Sequence, residues 1–328
     1  MTRGMVLGKF LPPHAGHVYL CEFARRWVDE LTIVVGTLAR EPIPGELRAS
    51  WMREMFPSCR VVHLNEELPQ YPHEHPEFWS LWRASLTRAL GGATDFVFAS
   101  EDYGLRLAHE LGARFVPVDP SRVAVPISGT RVREDAFAAW EHLPRCVRPY
   151  FAKRVSVLGP ESTGKTTLAR SLAASLGTAW VPEYARTWLE ARGGDLEGLD
   201  WMDLVRGQIA SEEALARECR CVLVCDTDPF VTTVWAEVLG GGCSAEVRQA
   251  ALGRKYDLTL LTAPDVPWVA DPVRYLPDGG HAFFARCEAA LVAAGRPYVV
   301  VQGDWDSRTA RALLAVRDLL AAPARPPA

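Results

Sequence analysis

The stretch GPESTGKT, from Gly159 to Thr166, has the residue types and spacing of a loop that holds a polyphosphate. Gly159 and Gly164 allow backbone dihedrals that a side chain would block, so several N–H groups can converge on phosphate oxygens. In such a loop Lys165 lies on the β- and γ-phosphates and the Thr166 hydroxyl on Mg²⁺. The other side chains that we expect to border bound ATP are Glu161, Ser162, Thr163 and Thr167. The pattern predicts a nucleoside-triphosphate site near the middle of the chain.

Charged side chains follow the predicted strands of the C-terminal half. Asp226 ends the apolar run CVLVCD, where an acid in phosphate-loop proteins holds Mg²⁺ or orients the attacking group. Glu183 ends the preceding predicted strand, TAWVPEY, with Arg186 close by. Either Asp226 or Glu183 could be the base, and the sequence does not choose between them. Arg274 lies in a segment rich in proline, aspartate and glycine, and closure of such a lid would bring its charge to the phosphate.

The N-terminal stretch GKFLPPHAGH places two histidines around a proline-stiffened loop that runs into a predicted helix. His14 and His17 at the start of a helix suit the binding of a phosphate anion, because the helix dipole is positive there. Gly8, Lys9 and Phe10 close the preceding strand, so we expect them to face the same ligand. The spacing predicts a second anion site, far from the first in sequence.

The stretch ISGTRVRED combines a helix start with basic residues. We expect Ser128 or Thr130 to cap a helix whose first turn carries Arg131 and Arg133. Cations at a helix start oppose the dipole, and such local conflicts tend to mark function. We therefore interpret Ser128, Thr130 and Arg133 as anion-binding residues; a solvated capping box is the alternative.

Short apolar strands alternate with amphipathic helices along the whole chain. This alternation predicts an α/β protein in which parallel sheets are covered by helices. In such sheets ligands bind beyond the carboxyl ends of the strands. The loops that carry GKFLPPHAGH, SEDYG and VDPSRVAVPISGTRVRED should therefore meet, although they are distant in sequence.

At 328 residues the chain exceeds one usual core and is expected to form about two domains. We place the first at residues 1–148 and the second at residues 153–321, joined by a segment in which prolines break any helix. The remaining residues, 322–328, have the composition of a disordered tail.

The net charge of -4 gives no global basic surface for nucleic acid. No apolar run approaches the roughly 20 residues needed to cross a bilayer, and the N-terminus lacks a signal-peptide pattern. The 8 cysteines include no C-x-x-C pair, so we expect small buried hydrophobes in a reducing compartment. We expect a cytoplasmic protein without membrane contact, for which a homo-oligomer is compatible with the sequence.

The stretches GKFLPPHAGH and ISGTRVR resemble the two signatures of the nucleotidyltransferase superfamily, in its nicotinamide mononucleotide adenylyltransferase branch. LRASWMREMFP, QYPHEHPEFW, FASEDYG, VDPSR, the phosphate loop, PEYART, LVCDTDPF and WVADPVR follow in the family's order. Over roughly residues 5–320 the chain is similar to the NadR-type bifunctional family, which joins this adenylyltransferase to a ribosylnicotinamide kinase. Two departures stand out: no helix-turn-helix segment precedes the first strand, so no DNA binding is expected, and Gly129 replaces a serine or alanine of many relatives.

The resemblance implies a Rossmann-like nucleotidyltransferase domain, then a phosphate-loop kinase domain, acting in NAD biosynthesis and salvage. The kinase would phosphorylate nicotinamide riboside with ATP, using Lys165, Thr166 and either Asp226 or Glu183, with Mg²⁺ held by Thr166 and Asp226. The adenylyltransferase would join the mononucleotide to a second ATP, releasing pyrophosphate and NAD. There the implied phosphate-binding residues are Lys9, His14, His17, Ser128, Thr130 and Arg133. Trp79 and Trp82 could stack on the nicotinamide ring, and core packing explains them equally well.

Two other functions remain open on the sequence. One is a kinase whose first domain only senses a nucleotide, which the intact His14, His17 and Arg133 disfavour. The other is a non-enzymatic regulator that responds to NAD, which the missing DNA-binding segment disfavours. The predicted partners are small molecules in every case.

Overall fold

The structure, a computed structural model, describes residues 1–324, which form two compact units. The first contains Met1–Phe151 together with residues 323 and 324, and the second is Ala152–Ala322. Of the segment predicted to be disordered, residues 325–328 lie outside the described part. Ala324 is ordered against the first unit, because its carbonyl accepts a hydrogen bond from the Ala136 amide at 2.8 Å.

The first unit is built on a five-stranded sheet in the order β3-β2-β1-β4-β5, with every pair parallel. Its strands are β1 (Arg3–Gly8), β2 (Glu30–Gly36), β3 (Arg60–Leu64), β4 (Phe96–Ala99) and β5 (Arg114–Pro117). Its helices are α1 (Ala15–Trp27), α2 (Gly45–Met55), α3 (Phe78–Leu90), α4 (Tyr103–Leu111), α5 (Gly129–Glu134) and α6 (Arg148–Phe151), with a 3₁₀ turn at Trp140–His142.

The second unit repeats the plan with the strand order β10-β9-β6-β8-β7, again parallel throughout. Its strands are β6 (Lys153–Leu158), β7 (Trp180–Val181), β8 (Val222–Asp226), β9 (Leu258–Thr262) and β10 (Tyr298–Val301). Its helices are α7 (Lys165–Leu176), α8 (Tyr184–Glu190), α9 (Trp201–Ala216), α10 (Pro229–Leu239), α11 (Ala245–Leu252), α12 (Gly280–Ala293) and α13 (Trp305–Leu320). The predicted α/β class, with two helix-covered parallel sheets, is confirmed.

Each sheet is buried on both faces, because alternate residues of its central strands enter different cores. In β1, Val6 packs with helices α1 and α2, whereas Met5 packs with α3 and α4. In β6, Val157 packs with α7 and α13, whereas Leu158 packs with α10 and α12. Cys21, among the side chains that pack with α1 and α2, and Cys225, on β8, are both fully buried.

The central strand of each sheet ends in the loop that the sequence singled out. The loop after β1 carries the two histidines and leads into α1; the loop after β6 is the phosphate loop and leads into α7. Two elements differ from expectation. The strand predicted over TAWVPEY is only Trp180–Val181, and Glu183 instead forms the N-cap of α8. The joining segment, in which prolines were expected to break any helix, contains the short helix α6, where Pro149 lies in the first turn and is tolerated. Among the described residues, no helix combines the length and apolar character that a bilayer crossing needs.

Candidate active sites

A cavity of about 710 Å³ opens at the carboxyl edge of the first sheet. It brings together every residue predicted for the N-terminal site, from the segment that follows β1, from α3 and from the start of α5. Those lining residues are Gly8, Lys9, Phe10, His14, His17, Trp79, Trp82, Ser128, Thr130 and Arg133. The expectation that these loops converge follows from the parallel topology, since strand ends meet at one edge.

His14 and His17 form a stacked pair at the start of α1, with ring centroids 3.8 Å apart. His14 is the N-cap residue, and its Nδ1 accepts a hydrogen bond from the Gly16 amide at 3.1 Å. Burial, followed by the charge of Arg122, lowers the pKa of His14 to about 4. Burial, followed by the neighbouring His14, holds the pKa of His17 well below its usual value. Both imidazoles are therefore neutral at pH 7, and His14 carries its proton on Nε2.

His17 contributes a second polar group to this cavity. Its Nδ1 is buried and has no hydrogen-bond partner among residues 1–324. The ring packs against Phe10, whose backbone has a φ of 47°, at a centroid distance of 4.9 Å. A buried polar atom without a partner costs free energy unless a ligand satisfies it. The pair is accordingly arranged for a polar ligand.

Arg133 holds helix α5 against the loop that follows β1 and carries His14. Its Nη1 donates to the Leu11 carbonyl at 2.5 Å, and its Nη2 donates to Thr130 Oγ1 at 3.2 Å. Ser128 caps α5 by accepting from the Arg131 amide at 3.3 Å. At Gly129 a Cβ would lie 2.9 Å from the Leu11 carbonyl oxygen. The glycine that departs from the family pattern thus permits close approach of the two loops.

A buried ion pair positions Lys9, and sequence reasoning missed both of its members. Arg48 is fully buried; its Nη1 donates to the Lys9 carbonyl at 2.7 Å and its Nη2 to Glu41 at 2.5 Å. Glu41 Oε1 also lies 3.0 Å from Lys9 Nζ. The signal was present, because Arg48 shares the apolar face of α2 with Met52, where an arginine must find a partner.

Arg122 is a third cation of this cavity that the sequence analysis did not select. It has a φ of 52°, and Asp119 before it has a φ of 45°. Asp119 accepts from the backbone amides of residues 123–125, which fixes the loop. Non-glycine residues with positive φ persist only where their surroundings hold them, and they cluster at functional sites. Arg122 is held beside the cavity while its Nη2 stays 3.5 Å from Glu101.

The two tryptophans of α3 pack against the core of the first unit and also face the cavity. Trp82 donates from Nε1 to the Pro69 carbonyl at 2.8 Å, and the Arg106 guanidinium lies 5.6 Å from the Trp79 ring centroid. Both rings pack against the core that contains Leu86 and also line the cavity. They give the cavity an aromatic wall.

A second cavity, of about 180 Å³, lies at the carboxyl edge of the second sheet. Nine of the residues predicted for this half line it: Glu161, Ser162, Gly164, Lys165, Thr166, Thr167, Glu183, Arg186 and Arg274. Gly159, Thr163 and Asp226 do not reach the cavity surface but support residues that do. Gln208 lines it as well, although the sequence gave no signal for this side chain; its Oε1 accepts from the Tyr184 amide at 3.0 Å.

Asp226 and Glu183 differ in their surroundings. Asp226 is buried at the end of β8 and accepts from the Thr166 hydroxyl at 2.6 Å. Its Oδ1 has no hydrogen-bond partner within the described part of the chain. Loss of water around Glu183, opposed by Lys165 and reinforced by Asp226, raises the pKa of this carboxyl to about 7. Asp226 is therefore tied to the phosphate loop, and Glu183 faces the cavity with a pKa near neutrality.

These oxygens fit a magnesium ion. Mg²⁺ prefers hard oxygen ligands and binds through one or two carboxylates together with phosphates and water. The Thr166 hydroxyl and the unpartnered Oδ1 of Asp226 supply that chemistry at the start of α7.

The phosphate loop is braced from beneath. At Gly159, with φ 143°, a Cβ would lie 2.2 Å from Thr262 Oγ1, so glycine is required there. Thr163 is turned inward, with its hydroxyl 2.8 Å from the Pro160 carbonyl and 2.7 Å from Thr262 Oγ1. The buried Arg308 donates to the Thr163 carbonyl at 3.0 Å. Lys165 Nζ meanwhile donates to the Pro160 carbonyl at 2.8 Å.

The loop of residues 264–279, between β9 and α12, is named the lid segment here. It borders the cavity through Val273, Arg274 and Tyr275. Arg186 Nη2 donates to Asp271 of this segment at 2.7 Å. Arg274 is bonded to the Val269 carbonyl and lies 3.4 Å from Ser162 Oγ. The predicted lid is therefore in contact with the phosphate loop.

Both halves of the chain are similar to known proteins. A family model described as an AAA domain matches residues 154–308. The trifunctional NAD biosynthesis/regulator protein NadR of Escherichia coli (strain K12) is 31% identical over 97% of this chain and 83% of its own length. A nicotinamide-nucleotide adenylyltransferase of Methanospirillum hungatei JF-1 is 27% identical over 41% of this chain and 76% of its own.

A solved structure of NadR protein in complex with NAD and AMP-PNP is similar to this chain, with a TM-score of 0.77. Its sequence is 25% identical, and the match covers 98% of this chain and 96% of that one. Sequence and fold thus agree over nearly the full length of the described residues. On this likeness the chain belongs to the NadR family.

Proposed function

We propose that the chain is a bifunctional transferase of NAD biosynthesis, with a ribosylnicotinamide kinase site in the second unit and a nicotinamide mononucleotide adenylyltransferase site in the first. The observation that carries this proposal is the presence of two separate cavities at the carboxyl ends of the strands, each with its own cationic and polar lining. The NadR relative, named for NAD biosynthesis, and the adenylyltransferase relative support it, as does the NadR complex with NAD and AMP-PNP.

In the kinase site the riboside 5′-hydroxyl oxygen attacks the γ-phosphorus of ATP, and the bond to the bridging oxygen breaks as ADP leaves. We assign Glu183 as the base that takes the hydroxyl proton, because a base works best with a pKa near the operating pH and its pKa is about 7. Asp226 and Thr166 would hold Mg²⁺, which offsets phosphate charge when bound. Lys165 exchanges the Pro160 carbonyl for phosphate oxygens.

In the adenylyltransferase site a phosphate oxygen of the mononucleotide attacks the α-phosphorus of a second ATP, and pyrophosphate leaves. No proton has to move, so the side chains act by offsetting charge. His14 can donate from Nε2, since its Nδ1 is already an acceptor. Lys9, Arg122 and Arg133 add positive charge around the cavity. The aromatic wall of Trp79 and Trp82 suits the cationic nicotinamide ring.

The experiment that tests the proposal incubates the protein with nicotinamide riboside, ATP and Mg²⁺ and identifies the products with time. We expect the mononucleotide to form first, followed by NAD and pyrophosphate. Accumulation of the mononucleotide without NAD would instead support a kinase with a nucleotide-sensing first unit. Formation of neither product, with NAD binding retained, would support the non-enzymatic regulator. Parallel reactions with supplied mononucleotide separate the second step from the first.

A further inference from the structure

The side chain of Glu161, inside the phosphate loop, contacts the lid segment. Glu161 Oε1 accepts from the Tyr275 amide at 3.0 Å, while Oε2 accepts from the Tyr275 amide at 2.9 Å and from the Leu276 amide at 3.0 Å. Two consecutive backbone N–H groups of the lid segment thus converge on one carboxylate. Hydrogen bonds to an ionised acceptor are about twice as strong as neutral ones, so this contact is a strong attachment of the lid segment.

A second contact attaches the lid segment one residue further along the phosphate loop. Ser162 Oγ accepts from the Val269 amide at 2.8 Å and lies 3.4 Å from Arg274 Nη1. Ser162 has a φ of 63°, a conformation that a serine adopts at a cost. Two adjacent side chains of one loop therefore bind both ends of the segment 269–276.

The far side of the lid segment is fixed by a residue outside the phosphate loop. The Tyr275 hydroxyl donates to the Gly194 carbonyl at 2.7 Å. A Cβ on Gly194, which has a φ of 84°, would lie 2.7 Å from the Pro272 carbonyl oxygen. The lid segment is thus held on two sides of the cavity that Lys165 and Glu183 line.

We infer that Glu161 is a positioning residue for phosphoryl transfer, which latches the lid segment over the kinase cavity and keeps water from the γ-phosphate. A carboxylate is repelled by phosphate, so direct ATP binding does not explain an acid at this position of the loop. Its two oxygens instead organise the lid segment that presents Arg274. The inference rests on the proposed kinase function, and it assigns to Glu161 and Ser162 a task different from the ATP contact that the sequence suggested.

The latch has a chemical consequence. When the lid segment opens, a water oxygen can attack the γ-phosphorus in place of the riboside hydroxyl, breaking the bond to the bridging oxygen. ADP leaves, and the proton of the attacking water passes to solvent. Exclusion of water by a closed lid prevents this side reaction. A weakened latch should therefore raise the amount of ADP formed per mononucleotide formed.

The test compares Glu161→Ala and Glu161→Gln with the wild-type chain and with Glu246→Gln, a matched change at an exposed glutamate of α11. All assays run at the same pH of about 8, above the pKa of about 7 that Glu183 has in the wild type. We expect Glu161→Ala to raise the ratio of ADP to mononucleotide about 10-fold, since bonds to a charged acceptor are lost. Glu161→Gln keeps one acceptor oxygen, so its ratio of ADP to mononucleotide should lie between those of the wild type and Glu161→Ala. The ratio in Glu246→Gln should equal that of the wild type.

Hydrogen exchange gives a readout independent of catalysis. The Tyr275 and Leu276 amides should exchange about 10-fold faster in Glu161→Ala, while amides of β6 keep their protection. Adenylyl transfer from supplied mononucleotide serves as an internal control of chain integrity. An unchanged product ratio with unchanged exchange at both amides, in either variant, overturns the latch. Absence of riboside phosphorylation in the wild type would instead overturn the proposed function, so the two failures are distinct.

Discussion

The two cavities lie at the same edge of their parallel sheets but present different polar groups to a ligand. In the first unit the polar lining comes from side chains, among them a neutral histidine pair and Arg133. In the second unit a backbone loop contributes as well, beside side chains such as Lys165 and Glu183. Thr163, Thr262 and Arg308 brace that loop from below. A side-chain site can lose one group and keep its shape, whereas a backbone site depends on its glycines and braces. The kinase half should therefore be the less tolerant of substitution.

The strongest test of this comparison separates the two activities. Lys165→Ala should lower riboside phosphorylation by about 10²–10³-fold, because a cation that stabilises the transferring phosphate is lost. Adenylyl transfer to supplied mononucleotide should be unaffected. His17→Ala should instead lower adenylyl transfer and leave riboside phosphorylation unaffected. Both steady-state rates are measured on each variant by chromatography of the products.

Matched controls are available on each unit. Lys255→Ala and His109→Ala remove exposed side chains of the same types and should leave both rates unchanged. If Lys165→Ala or His17→Ala removed both activities from a folded chain, the assignment of two sites would fail.

The next effect concerns the base of the kinase site. Glu183→Gln should lower the kinase rate by about 10²-fold or more, the usual share of a general base. In the wild type, Glu183 has a pKa of about 7 and must be deprotonated to act. The rate should therefore rise with pH through about 7 and level off above it. A pH profile of kcat/KM on wild type and variant checks both points, and the same inflection in Glu183→Gln would transfer the base role to Asp226.

A smaller effect is expected where two loops meet in the first unit. Gly129→Ala places a methyl group 2.9 Å from the Leu11 carbonyl oxygen and should displace the loop that Arg133 holds. We expect kcat/KM for adenylyl transfer to fall about 3- to 10-fold, in line with a modest overpacking strain. Gly92→Ala is the control, since its nearest neighbour is the flexible end of Arg3 at 3.4 Å. Equal rates in the two variants would show that the close approach is unimportant.

The smallest effect is on stability in acid. His14 has a folded-state pKa of about 4 against 6.5 in its ordinary state, so between these values the unfolded chain binds a proton that the folded chain does not. The free energy of unfolding of the first unit should therefore decrease as pH falls from about 6.5 to 4. Exchange of β1 amides at several pH values measures it. The free energy of unfolding should change less steeply with pH in His14→Asn than in the wild type. An equal slope in the two chains would show that His14 does not cause the pH dependence.

Sequence reasoning predicted the phosphate loop and both histidines because their function depends on short, local spacing. The parallel topology then brought distant loops to one edge, so the residues predicted for the N-terminal site all line the first cavity, although they make up only part of its lining. Arg48 and Arg122 were missed for a different reason, because each acts on segments remote from it in sequence. Arg48 donates to the Lys9 carbonyl, and Arg122 lines a cavity built mostly from other segments. The side chain of Glu161 likewise gave no sign that its partners lie more than 100 residues away. Long-range pairing of single polar groups has no periodic signature.

Cys21 and Cys225 lie fully buried in separate units, and burial holds the pKa of each thiol well above its usual value. Only the thiolate reacts readily with alkylating reagents. Neither sulfur is therefore reactive while the unit that contains it is folded. Each becomes reactive when its own unit opens. Each of these cysteines therefore reports the unfolding of its own unit. The order in which an alkylating reagent labels the peptides that contain Cys21 and Cys225 would show how independently the two units unfold.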